Sequence, residues 1–197
     1  DKSVEGSKEE DGEIIAYGEN IMLGYHNLPE FTKENITEEG GLRTGDLGHL
    51  DEDGYLYITG RVKEQYKLEN GKYVAPAPLE ESLKLSAYVD QIMLYGFNQP
   101  HNVAVIVAAM PAVEKFAEEN KMSGSGPSLL NEPEIRKLFQ EQLEHYGEDF
   151  KSFERPQNFA LLSEEWGIDN GLLTPTLKLK REVVEEQFKS QIESLYS

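Results

Sequence analysis

Three short clusters in this sequence combine residue types and spacing that suit contact with a phosphorylated ligand. In the first, Leu42–Gly48, Asp46 stands between glycines at positions 45 and 48. A carboxylate with such small neighbours can offer both oxygens to vicinal hydroxyls, as a ribose presents them, because the backbone can approach closely. On local pattern alone, a β-turn in which Asp46 bonds to its own backbone is the commoner explanation.

The second cluster, Gly60–Val74, holds four of the nineteen basic residues of the chain: Arg61, Lys63, Lys67 and Lys72. In a chain with a formal net charge of −18, such a local excess favours a phosphate-bearing ligand. A solvated hairpin with its charges on the outer face explains the pattern equally well.

The third cluster, Leu172–Arg181, presents Lys178, Lys180 and Arg181 just before a predicted helix, on a loop stiffened by Pro175 and two threonines. A lysine on such a loop can stabilise negative charge that develops on phosphate oxygens. By itself, a lysine-rich start of a helix is more often plain surface.

The elements that must position these clusters change character along the chain. Residues 1–11 are charged and aperiodic, which predicts a flexible, solvated segment. From Gly12 to Gly60, short apolar pieces separated by Gly, Pro and acidic turns predict a β-rich region. Its predicted strands are Glu13–Ala16, Asn20–Leu23 and Tyr55–Ile58.

The remaining two thirds predict helices packed on a small sheet, an α+β fold. Two continuous apolar runs, Ile92–Phe97 and Val103–Met110, are typical of strands buried on both faces. A third strand is predicted near Phe159–Leu162, and a flexible connector is predicted over Met122–Ser128. The predicted helices are Pro76–Tyr88, Pro111–Glu119, Glu132–Tyr146 with Asn131 as its cap, and a last one from Arg181 with Val184, Phe188, Ile192 and Leu195 on one face.

Composition excludes several classes of protein. The chain has no cysteine, so disulfide scaffolds and Cys-ligated metal sites are impossible. The chain has 37 acidic and 19 basic residues, and this acidic excess argues against nucleic-acid binding. The longest apolar run, Val103–Met110, is far below the roughly 20 residues that span a bilayer. We therefore expect a cytoplasmic protein, and the missing initiator Met suggests a piece of a longer one.

Taken in order, five segments resemble the C-terminal portion of the adenylate-forming superfamily, which includes acyl-CoA synthetases, firefly luciferase and the adenylation domains of peptide synthetases. Among these branches, Lys67–Pro76 and Leu173–Lys178 are most similar to long-chain fatty acyl-CoA synthetases. The five segments are Gly12–Gly18, Gly24–Thr32, Arg43–Asp46, Gly60–Glu64 and Thr176–Arg181.

This resemblance implies a domain organisation. Residues 12–62 would be the β-rich end of a large AMP-binding domain, and residues 63–197 the small α+β lid of the acyl-CoA synthetase/luciferase-like fold. Lys63 would fall at the hinge about which the lid swings. The partner of the lid would be the large N-terminal domain of the same chain.

The resemblance also implies an activity and roles for named residues. Such enzymes join a fatty acid to ATP, giving acyl-AMP and pyrophosphate, and then let the thiol of CoA attack. Asp46 would bind the ribose hydroxyls of ATP or AMP, and Arg61 would assist at the ribose or phosphates. Lys178 would bridge the substrate carboxylate and the α-phosphate. After rotation of the lid, the path of CoA would be lined by Tyr66, Lys67, Gly71, Lys72 and Tyr73.

The sequence departs from the family pattern in two respects. Leu177 replaces the usual glycine before the lysine, which leaves the loop less flexible. The Gly-rich phosphate loop and the magnesium ligands of the family would lie upstream of Gly12, so no metal site is predicted in this chain. We therefore expect the chain alone to lack synthetase activity.

Two other interpretations stay open. The chain could belong to another adenylating branch, similar to peptide synthetases, that loads a carrier protein. It could instead be a stand-alone module with a lid-like fold that docks a partner through its acidic face. The sequence also leaves open a peripheral membrane contact of the full-length protein, through which a fatty acid could be collected.

Overall fold

A computed structural model describes residues 11–197 of the chain. These residues form two compact units. The first takes in the described residues up to Tyr66 together with Lys72–Ala77, and the second takes in Lys67–Gly71 and Pro78–Ser197. Both units mix strands with helices, which confirms the predicted α+β class.

The first unit is built on a three-stranded antiparallel sheet. Its strands are β1 (Gly12–Ala16), β2 (Leu42–Leu50) and β3 (Leu56–Arg61), in the order β1-β2-β3. A short helix, α1 (Pro29–Asn35), lies between β1 and β2 in sequence, with its proline in the first turn.

Asp11 precedes β1 and is buried, although the sequence predicts a solvated segment over residues 1–11. Its carboxylate accepts a hydrogen bond from Thr59 Oγ1 and contacts His49 Nδ1, both at 2.7 Å. These bonds satisfy a carboxylate whose burial would otherwise be costly. The rest of the predicted flexible segment lies outside the described residues.

The predicted strand Asn20–Leu23 is wrong. This stretch forms turns between Gly18 and Gly24, whose φ angles of +154° and +153° interrupt an extended chain. Leu23 is fully exposed and Met22 is also exposed, so neither side chain packs on a sheet.

A short segment joins this sheet to the second unit. A 3-10 helix, Val62–Glu64, follows β3, and two-residue strands β4 (Tyr66–Lys67) and β5 (Tyr73–Val74) flank a turn. Helix α2 (Pro76–Leu83) comes next and ends five residues before the predicted limit at Tyr88.

The second unit contains a mixed three-stranded sheet of order β6-β7-β8. Strands β6 (Val89–Tyr95) and β7 (Asn102–Ala108) are antiparallel, whereas β7 and β8 (Pro156–Leu162) are parallel. Every residue of β7 is buried, as its continuous apolar run predicts.

The two faces of β7 belong to different parts of the core. Ala104, Ile106 and Ala108 pack with residues of α2, α3 (Met110–Glu119) and α4 (Pro133–Tyr146). Val103, Val105 and Val107 pack with Trp166, Leu172 and the last two helices. The sheet is therefore covered on both faces, as a strand buried on both sides requires.

The helix ends differ from the prediction in detail. Asn131 does not cap α4, because it ends a 3-10 helix, Gly126–Asn131, that occupies part of the predicted connector. Glu132 stands at the cap position without a side-chain bond. The predicted last helix divides into α5 (Arg181–Gln187) and α6 (Lys189–Ser194), with a break at Phe188. Over residues 11–197, every helix is too short or too polar to cross a bilayer.

Candidate functional site

Asp46 and Arg61 are brought together by the sheet of the first unit. They face each other in the register of β2 and β3, and Arg61 Nε donates to Asp46 Oδ1 at 2.8 Å. The guanidinium also lies 3.4 Å from the carbonyl oxygen of Thr44. Both side chains are partly exposed, so the pair can meet a ligand from solvent. The sequence identified both residues but did not predict that they form an ion pair.

Asp46 lies inside strand β2, where the sequence predicts a turn. The strand is distorted beside it, because Gly45 has a φ of +73° that side chains rarely adopt. Asp46 N donates to Thr44 Oγ1 at 3.1 Å, and the same hydroxyl donates to the carbonyl oxygen of Ile14. The glycine thus supplies a local kink within a strand that sets the direction of the carboxylate.

Glu13 supports this kink from β1, and the sequence did not assign it a role. Its carboxylate accepts hydrogen bonds from Arg43 Nη1 at 2.7 Å and from the backbone N–H of Gly45 at 3.3 Å. Glu13 belongs to the first of the five segments that carry the family resemblance. This place in a motif is the signal by which the sequence could have identified Glu13.

A surface cavity of about 390 Å³ opens beside these residues, within the first unit. A volume of this size lies within the range of small-molecule sites in proteins. Lys63, from the 3-10 helix, is exposed and lines the cavity. Its other lining residues include Tyr25, Arg43, Gly45 and Arg61.

The five residues predicted to line a path for CoA surround the turn between β4 and β5. Gly71 has a φ of +84°, and its N–H donates to the carbonyl oxygen of Leu68. Lys67 and Lys72 are exposed, and Tyr66 and Tyr73 are half-buried. The five are divided between the units: Tyr66, Lys72 and Tyr73 group with the first, Lys67 and Gly71 with the second.

Lys178 closes a tight turn in the second unit. An isolated antiparallel bridge joins Leu173 to Leu179 at the base of the turn. Thr174 makes two bonds across it: its N–H donates to the carbonyl oxygen of Lys178, and its Oγ1 accepts from Lys178 N at 3.0 Å. The backbone of Lys178 is therefore fixed while its side chain is exposed to solvent.

Leu177 stands at the tip of this turn with a φ of +61°. This is the left-handed region, in which glycine is favoured because a Cβ crowds the neighbouring carbonyl. Its side chain is 70% exposed, so little burial compensates for the strain.

The chain that leads into the turn is anchored to the sheet by Gln91 of β6. The side-chain amide of Gln91 donates to the carbonyl oxygen of Trp166 at 2.9 Å and accepts from Trp166 N at 2.6 Å. Trp166 itself is buried against Phe188 and Leu172. These contacts hold the N-terminal approach to the Lys178 turn.

The guanidinium of Arg181 is bound by another side chain, although its place in the third cluster suggests contact with phosphate. Its guanidinium is paired through both terminal nitrogens with the buried carboxylate of Glu80 in α2, and Nη1 lies 2.8 Å from Oε1. The sequence did not single out Glu80. Its position beside Leu79 and three residues before Leu83, both of which are buried, was the signal that it faces inward.

Among the described residues, no group of three or more His, Asp or Glu side chains is placed to hold a metal ion. Of the predicted site residues, Asp46, Arg61 and Lys63 lie together in the first unit, and Lys178 lies in the second.

Comparison with known proteins gives one family and many relatives. The sequence model of the family described as "AMP-binding enzyme C-terminal domain" matches residues 63–197. Long-chain-fatty-acid–CoA ligase 1 of Cavia porcellus is 35% identical over 190 residues, which cover 95% of this chain and 27% of that protein. Long chain acyl-CoA synthetase 8 of Arabidopsis thaliana is 38% identical over 196 residues, covering 94% of this chain and 27% of that protein.

Solved structures resemble the chain as well. The A domain of a carboxylic acid reductase from Segniliparus rugosus, in complex with AMP and a co-purified carboxylic acid, matches with a TM-score of 0.75 and 27% identity. The match covers 94% of this chain and 28% of that one. The chain thus spans about a quarter of the length of the proteins that it resembles.

Proposed function

Because the chain belongs to the family of AMP-binding enzyme C-terminal domains, we propose that it is the C-terminal part of a long-chain fatty acid–CoA ligase. The predicted resemblance and the acyl-CoA synthetase-like fold are confirmed. The full-length protein would activate a fatty acid with ATP, release pyrophosphate, and transfer the acyl group to CoA. The observation that carries this proposal is the 35% identity to a long-chain ligase over 95% of the chain.

Asp46 and Arg61 are proposed to bind the ribose of ATP or AMP. The geometry supports this role, because Arg61, which lines the cavity, holds one carboxylate oxygen of Asp46, and the Asp46 side chain stays partly exposed. A carboxylate accepts hydrogen bonds only, so it can accept from two ribose hydroxyls. Arg61 would also contribute positive charge near the phosphates.

Lys178 is proposed to stabilise negative charge during adenylation. Its ammonium would contact both the fatty acid carboxylate and the α-phosphate as the acyl–phosphate bond forms and pyrophosphate leaves. An interaction that strengthens in the transition state raises the rate, whereas uniform binding does not. The exposed side chain on a fixed backbone turn supports this role.

The predicted hinge and CoA path are kept as parts of the same proposal. Lys63 stands at the first residue of the family match, in a short helix where a few backbone angles could absorb a rotation. The exposed Lys67 and Lys72 would offer charge to the phosphates of CoA. A cytoplasmic location, with membrane contact of the full-length protein, stays a prediction.

The decisive experiment separates the two half-reactions in the full-length protein that contains this chain. We expect Lys178→Ala to slow acyl-adenylate formation by about a hundredfold or more, since one lost transition-state charge has this magnitude. Attack of CoA on supplied acyl-adenylate should stay close to the wild-type rate. Lys180→Ala, which removes an exposed lysine two residues away, is the matched control. Equal loss of both half-reactions in Lys178→Ala would contradict the role of Lys178.

The chain by itself is proposed to be inactive as a synthetase, because it contains no Gly-rich phosphate loop. ATP–pyrophosphate exchange with palmitate measures this directly. Exchange above background by the isolated chain would overturn the expectation.

A second candidate is an adenylating enzyme of another branch, which passes the acyl group to a carrier protein. The TM-score of 0.75 to a carboxylic acid reductase A domain favours it. Free CoA and a phosphopantetheinylated carrier protein, offered in parallel to the full-length protein, distinguish the branches. Thioester formation on the carrier but not on CoA would replace the first proposal with the second.

A further inference from the structure

Glu80 is a buried carboxylate, 5% exposed, whereas most other acidic side chains within residues 11–197 are partly or fully exposed. Burying a carboxylate costs several kcal/mol unless charged and hydrogen-bonding partners compensate. A residue that is kept in such a place needs a partner of matching geometry. Glu80 has two partners, and together they connect three elements of the second unit.

The first partner is Arg181, at the start of α5. Its Nη1 donates to Oε1 at 2.8 Å, and its Nη2 contacts Oε2. The second partner is the backbone N–H of Leu94 near the end of β6, which donates to Oε1 at 2.7 Å. A bidentate guanidinium–carboxylate pair has one favoured relative orientation, whereas an ion pair with a single hydrogen bond does not. The carboxylate therefore fixes the start of α5 against α2 and β6.

Arg181 also ends the segment that carries Lys178. Between them, Lys180 N donates to the carbonyl oxygen of Leu172 at 2.9 Å, on the other side of the turn. The approach to the turn is held by Gln91 through Trp166, and the exit is held by Glu80 through Arg181. Because both ends of the turn are anchored, the position from which the Lys178 side chain extends depends on the Glu80–Arg181 pair.

We propose that Glu80 and Arg181 are positioning residues for Lys178, which hold its turn at the place that adenylation requires. The inference rests on the proposed function, because it gives Glu80 and Arg181 a purpose only if Lys178 acts in adenylation. Neither side chain touches the reacting groups in this scheme. Their effect on the reaction passes through the backbone of residues 178–181.

Arg181→Lys in the full-length protein tests the proposal, because it keeps the positive charge and removes the bidentate hydrogen bonding. We expect the kcat of adenylation to fall by about tenfold to a hundredfold, since a displacement near 1 Å of a catalytic group can cost about a hundredfold. The reaction of supplied acyl-adenylate with CoA should change less than twofold. Lys115→Ala breaks an exposed ion pair with Glu119 on α3 and should change neither half-reaction.

A double-mutant cycle separates positioning from general destabilisation. In a Lys178→Ala background, Arg181→Lys should cause no further loss of adenylation, because there is no side chain left to position. Glu80→Gln, which keeps the shape of the side chain and removes its charge, provides a second route to the same cycle. Far-UV circular dichroism and the urea midpoint of each full-length variant report whether it folds.

Equal losses in both half-reactions, or an additive loss in the Lys178→Ala background, would assign the pair a purely structural role and overturn the inference. The inference also fails if Arg181→Lys and Glu80→Gln leave adenylation unchanged while Lys178→Ala disables it. If Lys178→Ala itself leaves adenylation unchanged, the proposed function fails, and the two failures are thus distinguishable.

Discussion

Leu177 carries the clearest local strain next to the candidate site. A left-handed backbone conformation costs a residue with a Cβ about 1–2 kcal/mol relative to its ordinary conformations. The turn requires this conformation, because Leu177 N must donate to the carbonyl oxygen of Thr174 while Lys178 returns to pair across the loop. The glycine that the family pattern has at this place would meet the same geometric demand without strain.

We expect Leu177→Gly to leave the chain as stable as the wild type or up to ~1 kcal/mol more stable. Relief of strain in the folded state is offset in part by the greater freedom of glycine in the unfolded chain. The matched control is Leu85→Gly, since Leu85 is also 70% exposed and lies outside the left-handed region. That change should destabilise the chain by about 0.4–1 kcal/mol, because glycine gives the unfolded chain more freedom. Urea unfolding followed by Trp166 fluorescence compares the two, and equal destabilisation would argue against strain at Leu177.

At the scale of residues, the sequence named candidate side chains but not the partners that they contact. Asp46, Arg61 and Lys178 were identified from motifs, and each is exposed enough to meet a ligand. The pairing of Asp46 with Arg61 depends on the register of β2 and β3, and that of Arg181 with Glu80 joins positions 101 residues apart. Such contacts follow from the packing of whole elements, which local patterns do not contain.

At the scale of elements, strand β7 is the centre of the second unit. Its alternate residues enter two separate parts of the core, so each side chain contributes to only one face. The predicted strands Val103–Met110 and Ile92–Phe97 overlap β7 and β6 but differ from them by up to three residues at their ends. Short apolar runs that are rich in β-branched residues and bounded by turn residues favour buried strands. Strand β2 was predicted as a turn, because its two internal glycines have a low propensity for strands. Its pairing with both β1 and β3 outweighs this low propensity.

Ile106 in β7 offers a direct test of this arrangement. We expect Ile106→Ala to lower the free energy of unfolding by about 2–5 kcal/mol, because a fully buried side chain leaves a cavity among α2, α3 and α4. Ile168→Ala, at a position 48% exposed in the same unit, should cost less than about 1 kcal/mol. Both are measured by urea unfolding with Trp166 fluorescence. Similar costs at the two positions would contradict the central burial of β7.

At the scale of the whole molecule, two tyrosines that are neighbours in space link the C-terminal residues after α6 to strand β6. Tyr196 donates its phenolic hydrogen to the carbonyl oxygen of Tyr95 at 3.2 Å. Burial raises the pKa of the Tyr196 phenol, and the nearby Tyr95 adds to this. Burial also raises the pKa of Tyr95, with a further contribution from the Glu185 carboxylate. Both phenols therefore keep their protons in the folded chain at a pH where an unfolded chain begins to lose them.

This difference predicts a loss of stability in alkali. An unfolded tyrosine titrates near pH 10. Above that pH the unfolded chain binds fewer protons than the folded chain, so the free energy of unfolding falls as pH rises. We expect a smaller fall between about pH 9 and 11 in Tyr196→Phe, which cannot ionise there. Urea unfolding at several pH values measures the slopes, with Tyr55→Phe as the control for removing one exposed phenol. Equal slopes in wild type and Tyr196→Phe would exclude this contribution.

The path of the chain between residues 66 and 78 limits how this protein can be dissected. The chain leaves the first unit after Tyr66, returns at Lys72 and leaves again after Ala77, so the first unit is discontinuous in sequence. Any single cut, by a protease or by truncation of the gene, therefore separates a piece of one unit from the rest of that unit. A fragment that begins at Lys63 would carry Lys72–Ala77, which group with the first unit, without the three-stranded sheet of that unit. Separate production of the two units would require a graft or a circular permutation instead of a simple boundary.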